Sequence, residues 1–335
     1  MRDRAHKRVR PAIGVVPLVA LARERELEAE RLLRQAGIDP AVLGDPAGAV
    51  ADERVHAFVA SLVDETGDAT LGLAAGRHYN LATFGLLGAV AAVTPSPRAC
   101  VRLFVKYQHL TFTSFLFDLD DAAQQIIFVP QGDLGPLHRF YLDRELSFVV
   151  HSARRLWPTS DRLMLKQFAF DYPEPAEAAA YRALFRDVRF GAECAAIDVD
   201  FDAAPPPSTV NPLGNVALDQ QLEALAAMAS DGDVVQKTRD AVTMAVGARQ
   251  HLPTIDEVAA QLGRSARTLR RELAAHGTTF RDILEEVVVT LAQRYLRNPS
   301  LSVAAVAERL GYAEASSFAR AFRRITGTTL TSARR

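Results

Sequence analysis

Cysteine is nearly absent from this sequence. Cys100 and Cys194 are the two in 335 residues, and they have no CxxC spacing. That argues against a disulfide framework and against a cysteine zinc site, and it suits a reducing compartment. Either thiol reads first as a small buried hydrophobe. Long apolar runs are missing too. The longest, residues 81–93, is broken by Thr83, Gly85 and Gly88 and falls short of the roughly 20 residues a bilayer span needs. The start of the chain is basic (Arg2, Arg4, Lys7, Arg8, Arg10), but no apolar signal core follows, so a cytoplasmic protein with a frayed tail is expected. Enzyme signatures are also lacking. The eight histidines (His6, His56, His78, His109, His138, His151, His251, His276) show no metal-ligand spacing, and there is no GxSxG, HExxH or phosphate-cradling glycine loop. No catalytic residue, metal or cofactor is expected.

The net charge of -1 hides an asymmetry. From Asp231 to the end, 16 Lys and Arg face 11 Asp and Glu, a net +5; residues 1–230 hold the remaining 23 cations and 29 anions, a net -6. A basic end on an acidic remainder is the pattern of a nucleic-acid-binding module joined to a regulatory one.

What the sequence does contain is an internal repeat. Val258, Ala259, Leu262 and Gly263 recur 48 residues later as Val306, Ala307, Leu310 and Gly311; Leu269, Arg271 and Leu273 recur 49 later as Phe318, Arg320 and Phe322. The slip of one residue makes the second turn longer. Each unit reads helix, glycine, short turn, helix, over about 254–275 and 302–325. Val258 and Leu262 share a face at four-residue spacing, as do Leu269 and Leu273. The glycine allows the left-handed stop of the first helix, and Ser265 stands where an N-cap belongs. Ser316 or Glu314 is the corresponding capping candidate in the second unit. With Leu269 and Leu273 buried, Arg267, Arg270 and Arg271 face solvent. Arginine can hold guanine N7 and O6 or a phosphate, as a major-groove reader requires. One such basic helix is as often a solvated face; finding it twice in register favours DNA. Between the units, Thr279 to Asn298 has helical periodicity with Pro299 just beyond. A helix of that length lets one chain reach two adjacent major grooves of double-stranded DNA, roughly 34 Å apart.

The segments TIDEVAAQLGRSARTLRRELAAHGTTF and SVAAVAERLGYAEASSFARAFRRITGTT resemble the DNA-binding domain of AraC/XylS-type transcription regulators, over about residues 233–335. The resemblance implies base-facing positions at Arg267, Arg270 and Arg271 in the first unit and at Ala315, Ser316 and Arg320 in the second. Ala315 cannot hydrogen-bond through its side chain, so the second unit is expected to read fewer bases and to anchor phosphates through Arg323 and Arg324. Three positions depart from the family pattern. Leu330 stands where a proline is usual, Ala333 replaces an aromatic, and Val288 replaces a commonly basic residue in the connecting helix.

The first two thirds promise helices near 15–36, 52–64, 68–76, 96–110 and 138–156. Strands are expected near 112–119, 125–129, 162–171 and 196–201, with a further helix near 174–185. A Pro-rich bridge at 203–212 leads to helices near 218–229 and 233–248. The expected fold is an α+β N-terminal effector and dimerisation domain, 1–230, with an antiparallel or mixed sheet, followed by an all-α domain, 231–335, in which a long helix joins two helix-turn-helix units. The segments FGLLGAVAAVTPSPRACVRLFVKY and FAFDYPEPAEAAAYRALFRDVRFGAE resemble the non-cupin, "arabinose-binding" effector domain of one AraC branch. His109, Phe112, Phe115, Phe117 and His151 are the candidate ligand residues, although each reads first as core or surface. The leading expectation is a homodimeric regulator responsive to an unknown small-molecule effector, with RNA polymerase as a possible partner. The alternatives are an N-terminal domain that only assembles the protein, and an enzyme fused to a DNA-binding domain.

Overall fold

The computed structural model describes residues 9–94, 96–158, 164–203, 220–221, 234–296 and 301–333. Most of the Pro-rich bridge and of the helix expected near 218–229 lies outside them. By compactness the chain divides into a first unit (residues 1–115, 119–126 and 135–224) and a second unit (116–118, 127–134 and 225–335).

The first unit opens with a two-stranded antiparallel sheet, β1 (Val9–Pro11) on β2 (Ala49–Ala51). The single helix expected over 15–36 is two, α1 (Val16–Glu24) and α2 (Ala29–Gln35). Glu26 takes a left-handed φ of 59° between them, which ends the first helix. In α3 (Asp52–Thr66), Asp52 and Glu53 complement the helix dipole at the start, and Gly67 closes the end at φ 58°. Next come α4 (Leu71–His78), α5 (Gly85–Val93) and α6 (Pro97–Tyr107). The last begins on Ser96, whose side chain accepts from the Ala99 N–H, with Pro97 at its first position. The 19-residue α7 (His138–Leu156) has the bounds expected from the sequence.

The main sheet comprises β3 (Phe115–Asp120), β4 (Gln125–Pro130), β5 (Leu165–Ala169), β6 (Val188–Arg189) and β7 (Ala195–Val199), in the order β3-β4-β7-β5-β6. It is mixed: β5 runs antiparallel to β7 and parallel to β6. The turn between β3 and β4 is held by Asp120, which accepts from the Ala122 and Ala123 N–H groups, and by Gln124 at φ 53°. A short helix, α8 (Ala178–Leu184), connects β5 to β6.

Close packing of α4 on α7 centres the first unit. Gly72 and Gly76 lie one turn apart on α4. A Cβ at Gly72 would stand 2.5 Å from the Phe140 carbonyl oxygen, and one at Gly76 would stand 2.4 Å from Ser147 Cβ. The Ser147 hydroxyl donates to the Leu73 carbonyl across this contact, at 2.8 Å. Gly76→Ala is therefore expected to cost about 1–3 kcal/mol by overpacking. A lower urea midpoint at an unchanged m-value would show it; an unchanged midpoint would mean that the two helices separate freely.

The second unit is helical apart from its short strand segments: α9 (Val234–Gly247), α10 (Ile255–Gln261), α11 (Ala266–Ala275), α12 (Phe280–Leu296), α13 (Val303–Arg309), α14 (Ala315–Thr326) and α15 (Leu330–Ala333). Its core gathers Val242, Val246, Leu269, Leu273, Leu291, Val306, Phe318 and Phe322, with Leu116 and Val129 from the strand segments. The three departures from the family pattern find their place here. Val288 is buried in this core, and Leu330 and Ala333 pack against it, so apolar contacts stand where the resemblance implied a base, a proline and an aromatic.

Candidate nucleic-acid interface

Each helix-turn-helix is set by local chemistry. Thr254 and Glu257 form a reciprocal capping box at the start of α10: the Glu257 N–H donates to Thr254 Oγ1 at 3.3 Å, and the Thr254 N–H donates to Glu257 Oε2 at 2.6 Å. These bonds hold the Glu257 carboxyl below the usual carboxylate range. Gly263 turns the chain at φ 67°, and Ser265 caps α11 by accepting from the Thr268 N–H at 3.1 Å. In the second unit Ser302 caps α13 and Gly311 turns at φ 80°. A side chain at Gly311 would also meet the Leu252 N at 2.8 Å, so glycine is required there twice over. The N-cap position of α14 is Glu314, which makes no side-chain capping bond; the Ser316 hydroxyl donates to its carboxylate at 3.0 Å instead.

Leu269 and Leu273 are fully buried on α11, as are Phe318 and Phe322 on α14. Arg267, Arg270 and Arg271 are exposed on α11, and none of them makes an ion pair among the described residues. Arg264, by contrast, is tied to Glu272 at 2.7 Å. On α14, Ser316, Arg320, Arg323 and Arg324 are exposed and Ala315 is half-buried. Arg320 donates to the Ser317 hydroxyl at 3.1 Å. Arg324 is engaged by Glu285 of α12 at 2.8 Å, and the same carboxylate receives Arg281 at 2.8 Å. Burial would raise the Glu285 carboxyl, but the two arginines hold it below its ordinary range. Of the two phosphate-anchor candidates, Arg323 is free of carboxylates among the described residues and Arg324 is not. The 17 residues of α12 span about 25 Å at 1.5 Å each.

The ligand candidates of the N-terminal region fall in different neighbourhoods. Phe112 is buried and stacks on Phe84, with ring centroids 4.6 Å apart. His109 lies 6.4 Å from the Tyr107 ring. Phe115 lies against His138, and Phe117 against Phe128. His151 is half-buried on α7; burial, with Arg154, Arg155 and Arg77 nearby, pushes its pKa down.

Sequence reasoning missed a buried polar layer on α7. Asp143 is fully buried and accepts from the hydroxyls of Tyr172 and Tyr181, the latter at 2.5 Å, with Arg139 Nε 3.7 Å away. Burial pushes its carboxyl up to about 7, against the pull of both tyrosines and Arg139. The folded state thus binds a proton that the unfolded chain, near 3.9, releases. Its contribution to stability is complete below about pH 4 and is lost as pH rises through about 7, a change on the order of 4 kcal/mol. Asp143→Asn keeps an acceptor for the tyrosines and abolishes this titration. The variant should gain stability relative to wild type between pH 5 and pH 7.5 in urea unfolding; parallel pH profiles would contradict it. Among the described residues there is no cluster that would hold a metal ion, and no helix is long and apolar enough to cross a membrane.

Comparison with known proteins agrees with this geometry. A family model described as the arabinose-binding domain of AraC transcription regulators, N-terminal, matches residues 27–205, more than half of the chain. A helix-turn-helix domain model matches residues 258–335. The chain belongs to the AraC family of transcription regulators. This AraC-family protein is 27% identical over 322 residues to the ornithine utilization regulator of Pseudomonas aeruginosa, covering 95% of the chain and 94% of that relative. It is 30% identical over 337 residues to an uncharacterized helix-turn-helix-type transcriptional regulator of Mycobacterium tuberculosis, covering 95% and 94%. The regulator VirS of M. tuberculosis is 33% identical over 168 residues, 48% of this chain and 47% of VirS. As an AraC-type protein the chain is a DNA-binding transcription regulator with an arabinose-binding-like N-terminal domain, and these relatives bear regulator names.

Proposed function

We propose that residues 231–335 read two adjacent major grooves of double-stranded DNA, and that residues 1–230 bind a small-molecule effector and pair the protein as a homodimer. The chain acts in the cytoplasm, carries out no catalysis of its own, and works on RNA polymerase from its operator. The observation that carries the DNA reading is the exposed Arg267, Arg270 and Arg271 on a helix seated by Leu269 and Leu273. A second such helix stands across α12, with Arg320 and Arg323 outward. Ser316 and Arg320 complete the base-facing set, and Arg323 takes a phosphate. Arg324 contributes to the same positive field, although Glu285 already holds it.

Effector control requires that the ligand prefer one DNA-binding arrangement over another. The match to the arabinose-binding domain model supports an effector in the N-terminal region. The test is a footprint of the purified protein on its own upstream DNA at two salt concentrations. Protection of two major grooves on one face, weakening steeply with salt, is the expected result. Protection of a single groove would overturn the two-reader arrangement.

A further inference from the structure

The first unit buries an arginine beside an unpartnered hydroxyl. Arg144 on α7 is 2% exposed, and its guanidinium rests against the rings of Tyr79 and Tyr141, 5.2 and 5.0 Å from their centroids. Among the described residues its one carboxylate partner is the adjacent Glu145, which also accepts from the Ser114 N–H at 3.2 Å. A guanidinium carries five N–H donors; Glu145 and the Tyr79 hydroxyl take two of them, and the others have no acceptor among the described residues. Beside it the Tyr141 hydroxyl is fully buried and has no hydrogen-bond partner among the described residues. The Tyr79 hydroxyl is already committed, donating to the Gly14 carbonyl at 2.8 Å.

The neighbouring Arg10 makes the contrast. It is equally buried, yet it is paired with Asp52 and donates to the Phe112 carbonyl at 2.6 Å and to the Ser114 hydroxyl at 2.9 Å. Arg10 is structural: it fixes the 112–114 segment. Arg144 and Tyr141 are donors waiting for an oxygen, and burying such groups without a partner is costly.

A run of packed aromatic rings leads from these donors to the half-buried surface of the unit. Phe112 lies 5.5 Å from the Tyr79 ring and stacks on Phe84. Phe84 touches Phe148 at 5.1 Å, and both of these outer rings are half-buried. Phe148 follows Arg144 by one helical turn, so head and wall lie on one stripe of α7. Farther along α7 come His151, Arg154 and Arg155.

We propose that Arg144 and the Tyr141 hydroxyl form a carboxylate-binding site, taking the head of a small amphiphilic acid whose apolar body lies along Phe112, Phe84 and Phe148. The site deepens, and rests on, the effector reading of the N-terminal region. It takes a singly charged head. Arg10 with Asp52 and Arg144 with Glu145 already balance, so one carboxylate adds a single charge where a phosphate would add about two. Ordered water on the same donors is the competing occupant.

The test uses the full chain with octanoate and hydrocinnamate as probes, their methyl esters and octylamine as controls, and calorimetry with thermal melting as readouts. Both acids should bind and raise the melting temperature, the esters at least about tenfold more weakly and the amine not at all. Tyr141→Phe should melt no lower than wild type, since it removes an unpartnered hydroxyl, yet bind the acids about tenfold more weakly. Arg144→Lys, which keeps the charge facing Glu145 but loses the planar fork, should weaken them further. Absence of binding by either acid, esters binding as well as acids, or acid binding unchanged in Tyr141→Phe would each overturn the site. Operator binding is measured in the same samples. Acids that bind without changing operator occupancy would leave the site standing and remove effector control, so the two failures are distinguishable.

Discussion

Changing Arg267 and Arg270 together to alanine is expected to weaken operator binding by about 2–6 kcal/mol, roughly thirtyfold to twenty-five-thousandfold. Both side chains are exposed on α11 and make no ion pair among the described residues. Their removal therefore takes nothing from the seam of Leu269 and Leu273, and the variant should unfold at the wild-type denaturant concentration. The loss falls on specific binding, because a bidentate arginine–guanine contact has no alanine substitute. Non-specific binding should fall less, and its salt slope should drop only by the charges that touched phosphate. A comparison within the second reader sharpens the point. Arg323→Ala should lower affinity and flatten the salt slope more than Arg324→Ala, because Glu285 already neutralises Arg324. Titration of a labelled operator with each variant at two salt concentrations measures all of this. Wild-type affinity in the double variant would mean that α11 does not read the DNA.

That prediction could be framed from sequence because the second unit is written in local rules. The glycine spacing, the Ser265 cap and the four-residue apolar steps each demand a particular backbone, and the structure has them where the repeat placed them. The one-residue slip is visible as Gly263 two positions before the N-cap of α11 and Gly311 three before that of α14. In the first unit the α+β class and α7 were legible, and other features were not. The strands β1 and β2 are three residues each, too short for alternation to register. The break between α1 and α2 rests on a left-handed glutamate, for which the sequence carries no turn signal. No element is expected over 85–93, where a short apolar run without clear period forms α5. The polar layer on α7 escaped for a deeper reason. Periodicity assigns charged residues to solvent, whereas Asp143, Arg144 and Glu145 are all buried because Tyr172, Tyr181, Tyr79 and Ser114 come from distant segments to meet them. No window of sequence holds both partners. The same limit scattered the ligand candidates: Phe112 joins this layer's apolar edge, while Phe115 and Phe117 pack elsewhere.

Truncating Phe318 should have an effect of similar size by the opposite route, through structure instead of chemistry. Only Phe318 and Phe322 are buried on α14, so these two rings attach the second reader to its unit. Phe318 has no exposed surface and lies 5.5 Å from the Tyr312 ring and 5.9 Å from that of Phe322. Phe318→Ala deletes one of the two anchors and leaves a cavity under the helix, at a cost of about 3–5 kcal/mol. The Arg324–Glu285 contact cannot compensate, since half-exposed ion pairs contribute little. The first reader has its own caps and its own buried pair, Leu269 and Leu273, and should remain seated. The expected result is faster amide exchange over residues 303–326 with protection of 255–275 retained, and a footprint that contracts from two major grooves to one. Equal loss of protection in both readers would mean that α12 couples them into a single cooperative block. An unchanged footprint would mean that α14 is held to the DNA by contacts other than its own hydrophobic seam.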